Sequence, residues 1–510
     1  MALSSPSPTT EAFATARRDL ARYQPSSTLL PAIGFRLSQR AAIRSRMGPK
    51  GEAAPSGPLL EAGTELRAGA LSCEDLLERS LRAVSRFGAA TRGVVTLLEA
   101  EARRDAQRLD SELAAGHWRG PLHGIPMTVK DNIDVAGAPT GAGSSAYGRV
   151  AEVDAEAVRQ LREAGAVIVA KVATHELALG VTTPQARHPL DGDRIPGGSS
   201  GGSGISVATG MALASVGTDT RASIRVPAAL CGVIGFKPTY GAVPAEGIVW
   251  LSWTMDHVGI LAASVADAAC VVSCASPLLR ELAGAAQAAV AGWRVGVPAD
   301  GFAGASAEVS AAVGAELERL KSSGVELVPL PAPGGDDFRL ANAAGLVISR
   351  AEALSYHRSL QTDLAELWPE TADQLRMADD ISAAEYLDAQ RFRADLAGRM
   401  LKLVVDHDLD ALAMPTALVT APLVSEAERF FTLLSRNAIP WSLLGWPSVS
   451  LPCAVEGGAL PVGLQLVAPP YEDGSLVSLG AALERAAPQN SVAGAAIQTA
   501  TSTSHSSTAI

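Results

Sequence analysis

The feature that most constrains this chain is an alternation of amphipathic helix patterns with short, uninterrupted apolar runs. Val158 and Leu161 recur at helical spacing, with Asp154 placed to cap the helix and Gly165 to end it. Residues 166–170 then run apolar without a break, the pattern of a strand buried on both faces. The order repeats after Thr174, which can cap a further helix. A Gly/Ser loop at residues 197–204 leads into a small-residue helix as far as Gly210. An apolar segment at residues 213–216 then runs into Gly217-Thr218-Asp219. Such alternation predicts an α/β sheet covered by helices on both faces. Upstream, Ser72 is a candidate cap for a helix carrying Leu76, Leu77, Leu81 and Val84. Residues 125–129 read as a strand with Lys130 at its end.

Composition narrows the function classes. The chain has 510 residues, 47% of them apolar, which is enough to bury a large core. Its net charge of −11 argues against nucleic acid or an anionic membrane as the main partner. Cys73, Cys231, Cys270, Cys274 and Cys453 form no CxxC pair and no disulfide framework, which suits a reduced, cytoplasmic protein. No apolar run reaches the ~18 residues of a membrane span. The histidines show no HxxxH or HxH spacing, so no metal site is expected. Residues 1–50 are basic and serine-rich, as in an organelle transit segment, a misplaced start or a loosely attached helical arm. We therefore divide the chain into an N-terminal arm (1–64), a folded domain (65–488) and a Ser/Thr/Ala-rich mobile tail (489–510).

Three stretches carry candidate chemistry. Lys130 follows Thr128-Val129 in an apolar segment. It is either a solvated strand-end lysine or an amine held in low dielectric, where it loses proton affinity and can serve as a base. Residues 197–204 hold five glycines and three serines. They fit neither the P-loop nor the dinucleotide fingerprint, because no lysine follows and Val207 takes the last glycine position. Gly197-Gly198-Ser199-Ser200-Gly201 does satisfy GxSxG, but that elbow must follow a strand and the preceding residues are polar and proline-bounded. Ser223 closes the turn Gly217 to Ala222, whose backbone N–H groups can converge on an oxyanion; alternatively it is a helix cap.

In this order and spacing, the three stretches resemble the amidase signature family. The resemblance spans residues 65–485. It is carried by Gly124-Ile125-Pro126 through Lys130-Asp131-Asn132, residues 197–204, residues 217–231 and Lys237-Pro238-Thr239. It implies one large domain with a mixed, mostly parallel sheet between helical layers, no cofactor, and frequently a homodimer. It further implies Ser223 as nucleophile, Ser199 as a bridging serine on a cis peptide bond, and Lys130 as base. The backbone N–H groups of Thr220, Arg221, Ala222 and Ser223 would form the oxyanion hole, while Asp219 and Arg225 would be structural. The expected activity is hydrolysis of a small carboxamide, anilide or carbamate through an acyl-enzyme. The alternatives are the glutaminase component of an aminoacyl-tRNA amidotransferase and a non-catalytic scaffold that keeps the fold.

One departure stands out: Arg221-Ala222 occupies positions where the family usually has Gly-Gly. Glycine there would permit positive φ or close substrate approach. Arg221 either points away or binds an anionic substrate group, or the replacement leaves the oxyanion hole impaired. Trp250, Phe430 and Phe431 are further candidates for lining a substrate pocket, whereas Trp441 and Trp446 sit in an apolar run and read as packing.

Overall fold

The apolar runs become strands buried along most of their length, and a computed structural model describes residues 8–21, 56–331, 336–455 and 459–487. Eleven strands join one sheet. In chain order they are β1 (Val94–Leu97), β2 (Pro126–Lys130), β3 (Val167–Val172), β4 (Ala214–Asp219), β5 (Ile234–Lys237) and β6 (His257–Ala262). They continue as β7 (Arg294–Pro298), β8 (Glu326–Leu330), β9 (Ala411–Pro415), β10 (Ser448–Pro452) and β11 (Gly463–Val467). Across the sheet the order is β1-β3-β2-β4-β6-β5-β10-β11-β9-β7-β8. Every residue of β2, β3, β4 and β6 is buried, as strands covered by helices on both faces must be.

The sheet is mixed but not mostly parallel. The pairs β3–β2, β2–β4, β9–β7 and β7–β8 are parallel, and the other six neighbours are antiparallel. The reason is connectivity. The helix Glu156–Glu163 carries the chain from β2 back to the start of β3, giving a parallel pair. No described helix separates β5 from β6 or β10 from β11, and both pairs fold back antiparallel.

Local capping follows the sequence in part. Ser72 caps the helix Cys73–Thr91 by accepting from the Asp75 N–H at 3.0 Å. Asp154 does not cap; its carboxylate accepts from the Ala136 N–H at 2.8 Å and pairs with Arg162. Thr174 is followed only by a short 3-10 turn, Glu176–Ala178, because the chain must bend there towards the Gly/Ser loop. The boundary drawn at residue 64 falls inside the helix Pro58–Arg67, whose Leu59 and Leu66 are fully buried in the main core cluster. Within the N-terminal arm, the helix Pro8–Ala21 packs Phe13, Ala16 and Leu20 into a second cluster. There Arg17 pairs with Glu385 at 2.6 Å. The rest of the basic segment and the tail from residue 489 lie outside the described residues.

The helix Gly201–Ala208 is buried at every position, and its glycines let backbone approach backbone. A Cβ on Gly202 would overlap the Ala173 amide nitrogen and lie 2.7 Å from the Gly93 carbonyl. Gly202→Ala is therefore expected to destabilise the protein by about 3 kcal/mol, measured as a lowered denaturation midpoint. Gly148→Ala, where a Cβ meets nothing within 4 Å, is the matched control and should leave the midpoint nearly unchanged.

Candidate active site

β2 and β4 are parallel neighbours, so their carboxyl ends open on the same edge of the sheet, where α/β folds commonly place a site. Lys130 is the last residue of β2, and Thr218 and Asp219 end β4. Ser199 lies in the loop that enters the helix Gly201–Ala208. Ser223 lies in the turn between β4 and the helix Arg225–Cys231. Two strand ends and two helix entries thus converge.

Lys130 is fully buried. Its Nζ lies 2.8 Å from Ser199 Oγ, 2.7 Å from Thr218 Oγ1 and 3.4 Å from the Thr218 carbonyl. The Gly198–Ser199 peptide bond is cis. The Ser199 carbonyl accepts from the His175 N–H at 3.0 Å and the Thr183 hydroxyl at 3.1 Å. The neighbouring Ser200 N–H donates to the Ser223 carbonyl at 3.2 Å, and the Ser200 hydroxyl donates to the Thr218 carbonyl at 3.1 Å. These bonds tie the two serine loops to each other and to β4. The second hydroxyl link differs: among the described residues the Ser223 hydroxyl makes no hydrogen bond to Ser199. Catalytic hydrogen bonds commonly tighten only once substrate is bound.

Burial is the main reason the Lys130 amine is pulled down to about 7, with the charges of Asp256 and Asp219 opposing it. Both carboxylates are engaged elsewhere. Asp219 is held well below the usual carboxylate range because its charge is met by Arg225, against a large burial cost. It receives Arg225 Nε and Nη2 at 3.0 Å each, the Ser442 hydroxyl at 2.9 Å and the Ile224 N–H at 3.1 Å. Asp256 is raised to about 6 by burial and accepts from the Thr220 hydroxyl and the N–H groups of Leu251 and Ser252. Asp131, next in sequence to Lys130, pairs at 3.3 Å with Lys171 instead. Lys130 therefore has no carboxylate within ion-pair distance among the described residues.

The turn carrying Ser223 is built without glycine. None of Thr220, Arg221, Ala222 and Ser223 has a positive φ, so the Arg221-Ala222 replacement needs no left-handed backbone. The Arg221 carbonyl is fastened by Arg225 Nη2 at 3.2 Å. Its side chain is 5% exposed, with the guanidinium carbon 4.9 Å from the centre of the Phe431 ring. Nε is buried with no partner. A cation–π contact contributes about 2 kcal/mol when desolvated, less than the several kcal/mol that an unpaired buried charge costs.

Of the other sequence candidates, Phe430 and Phe431 pack partly buried against an apolar cluster that includes Ala222 and Val226 of the same turn and helix. Trp250 packs against the main core cluster instead. Trp441 and Trp446 are 1% exposed and pack on each other. Three buried residues to which the sequence reading gave no role lie in or next to the site: Thr218, which grips the Lys130 amine; His175, whose Nε2 is buried without a partner; and Arg350, which donates to Gln374, itself bonded to the Leu179 carbonyl in the segment after His175. Thr218 was legible in principle, since it sits at the end of an apolar run. His175 and Arg350 had no local signal. No group of three or more His, Cys, Asp or Glu that could hold a metal occurs among the described residues. No described helix is long and apolar enough to cross a membrane.

Comparison with known proteins bears on this geometry. The family model described as "Amidase" matches residues 75–477. An amidase from Pseudomonas putida is 34% identical over 454 residues, covering 84% of this chain and 95% of that protein. The glutamyl-tRNA(Gln) amidotransferase A-subunit from Anaeromyxobacter dehalogenans is 32% identical over 475 residues, again covering 84% and 95%. A crystal structure of an amidase superposes with a TM-score of 0.75 at 37% identity, covering 84% of this chain and 99% of that one. With a family model matched over most of its length and relatives covered nearly end to end, the chain belongs to the amidase signature family.

Proposed function

We propose that this amidase-family hydrolase cleaves a small carboxamide, anilide or carbamate with Ser223 as nucleophile, Ser199 as relay and Lys130 as base. The observation that carries the reading is the buried, carboxylate-free Lys130 amine 2.8 Å from Ser199 Oγ. A neutral amine has two N–H donors and one lone pair. The Thr218 hydroxyl and carbonyl oxygens take the two donors, and the lone pair is left for the Ser199 hydroxyl proton.

The chemistry then follows. Lys130 accepts the proton of Ser199 as Ser199 accepts that of Ser223, and Ser223 Oγ bonds to the carbonyl carbon. The oxyanion is met by N–H groups from the turn Thr220 to Ser223, each such donor typically worth about 10²–10³ in rate. Collapse breaks the C–N bond as Ser199 returns a proton to the leaving nitrogen. Water, activated by the same relay, then releases the acid. Five free thiols fit a reducing compartment such as the cytoplasm.

A fluorophosphonate probe tests the assignment. It should form a single adduct on Ser223 in folded protein, located by peptide mass spectrometry, and none after denaturation. An unlabelled Ser223 in folded, monodisperse protein would sink it. A hydrolysis screen across primary amides, anilides, carbamates and esters would then fix the leaving group. The likeness to the amidotransferase relative favours a second reading, in which the same site releases ammonia from glutamine for a partner. That reading requires glutaminase activity that depends on added partner proteins.

A further inference from the structure

Two arginines at this site lack the counter-charge that buried guanidinium groups normally have. The Arg221 side chain makes no ion pair and no hydrogen bond to a described residue. Only its Nε is sealed from solvent without a partner, so the two terminal nitrogens still reach accessible space. The Phe431 ring lies under the guanidinium, its centre 4.9 Å from the guanidinium carbon. Arg350, on the helix Asp337–Ser359, is 2% exposed. Among the described residues it donates to neutral oxygens alone, Ser349 Oγ at 3.3 Å and Gln374 Oε1. Neither arginine has a carboxylate within ion-pair distance among the described residues, and Arg221 has no hydrogen-bond acceptor there either.

The two charges act on each other. After burial, the Arg350 guanidinium is the charge that pulls Arg221 well below the usual arginine range. Gln374, which accepts from Arg350, donates to the Leu179 carbonyl at 3.1 Å, and the same short segment holds His175, whose N–H bonds the Ser199 carbonyl at 3.0 Å, so Arg350 sits one side chain behind the segment that fastens Ser199. The carboxylate that acts on Arg350 is Glu370, and the two form no ion pair. Burial, with Glu428 and Glu176 nearby, raises Glu370 to about 6. Glu176 itself is occupied by the Trp368 N–H at 2.8 Å. Two like charges buried near one nucleophile, with open donors on one of them, form a site for an anion from outside the protein.

The geometry points to a carboxylate-binding subsite formed by Arg221 and Arg350 beside Ser223, so that preferred substrates are amides carrying a free carboxylate close to the scissile carbonyl. This rests on the reading of Ser223 as nucleophile. It also gives the Arg221-Ala222 replacement a purpose, since the family's glycine supplies no charge at that position.

The test compares succinamate and glutaramate with butyramide and valeramide, neutral amides of the same chain lengths. The wild-type kcat/KM ratio should favour the acids by about 100-fold, and Arg221→Gln and Arg350→Gln should each cut that ratio by about 30-fold. Taking the ratio cancels any general damage to the oxyanion turn. Arg350→Lys should keep more of the preference than Arg350→Gln, and this pair carries the test if Arg221→Gln fails to fold. Independently of turnover, succinate and glutarate should raise the wild-type Tm and should do so far less in either Gln variant. A wild-type ratio near one, or a ratio and a diacid response that neither substitution alters, overturns the subsite while Ser223 labelling and neutral-amide hydrolysis stand. An arginine-dependent diacid response with no turnover and no labelling keeps the subsite and removes the amidase reading.

Discussion

Replacing Ser223 by alanine is expected to lower kcat/KM by about 10⁵-fold, because every later bond change passes through its oxygen and triad members act as a unit. The Ser223 hydroxyl holds no hydrogen bond to Ser199 in the resting structure, so the fold should hardly notice its loss. Stability within about 1 kcal/mol of wild type is expected, since no buried partner is orphaned. Activity should therefore vanish while the unfolding transition stays in place, and fluorophosphonate labelling should vanish with it. Retention of more than a few per cent of wild-type turnover would move the nucleophile to another residue.

The second large effect belongs to Lys130. Lys130→Met removes the base but keeps a side chain of similar length, and kcat/KM should fall by about 10³–10⁴-fold. The pH profile separates a base from a mere packing role. With the wild-type amine near 7, log kcat/KM should drop with unit slope as pH falls below about 7 and level off above it. In Lys130→Met the residual rate should show no such limb. Stability should respond with a definite sign. The folded-state value lies below the ordinary 10.5, so protonation disfavours the fold. Wild-type stability relative to Lys130→Met should be lowest below about pH 7 and rise towards 10.5. A wild-type profile flat from pH 5 to 9 would exclude Lys130 as the titrating base.

Much of the site was legible because its parts are local. Glycine and serine cluster at residues 197–204, where only small side chains let the helix Gly201–Ala208 approach Ala173 and Gly93. The turn before Ser223 follows an apolar run that could only be a buried strand, and Lys130 ends another. What escaped sequence reading was non-local. Asp154 looked like a helix cap, yet a distant N–H at Ala136 claimed its carboxylate. The sense of the strands was not local either: two of the six antiparallel pairs come from returns without a helix, and the other four join strands that are not consecutive in the chain, which short-range periodicity does not encode. Arg350 gave no sign at all, since it belongs to a helix far along the chain and reaches the site only through packing.

Residue order alone determined the family, the layered α/β architecture and the candidate lysine and serines, because those depend on side-chain size and local backbone freedom. Only the tertiary structure decided which buried lysine is poised to lose its proton. Lys130 ends its strand and Lys171 is the penultimate residue of the adjacent one, and in register Lys130 faces Val172 while Lys171 faces Val129, one step apart. The pleat alternates side chains between faces, so the two amines enter different surroundings. Lys171 meets Asp131 at 3.3 Å, whereas Lys130 meets hydroxyl and carbonyl oxygens. Proton affinity follows from desolvation and the distance to opposite charge, and neither quantity exists until the chain is folded.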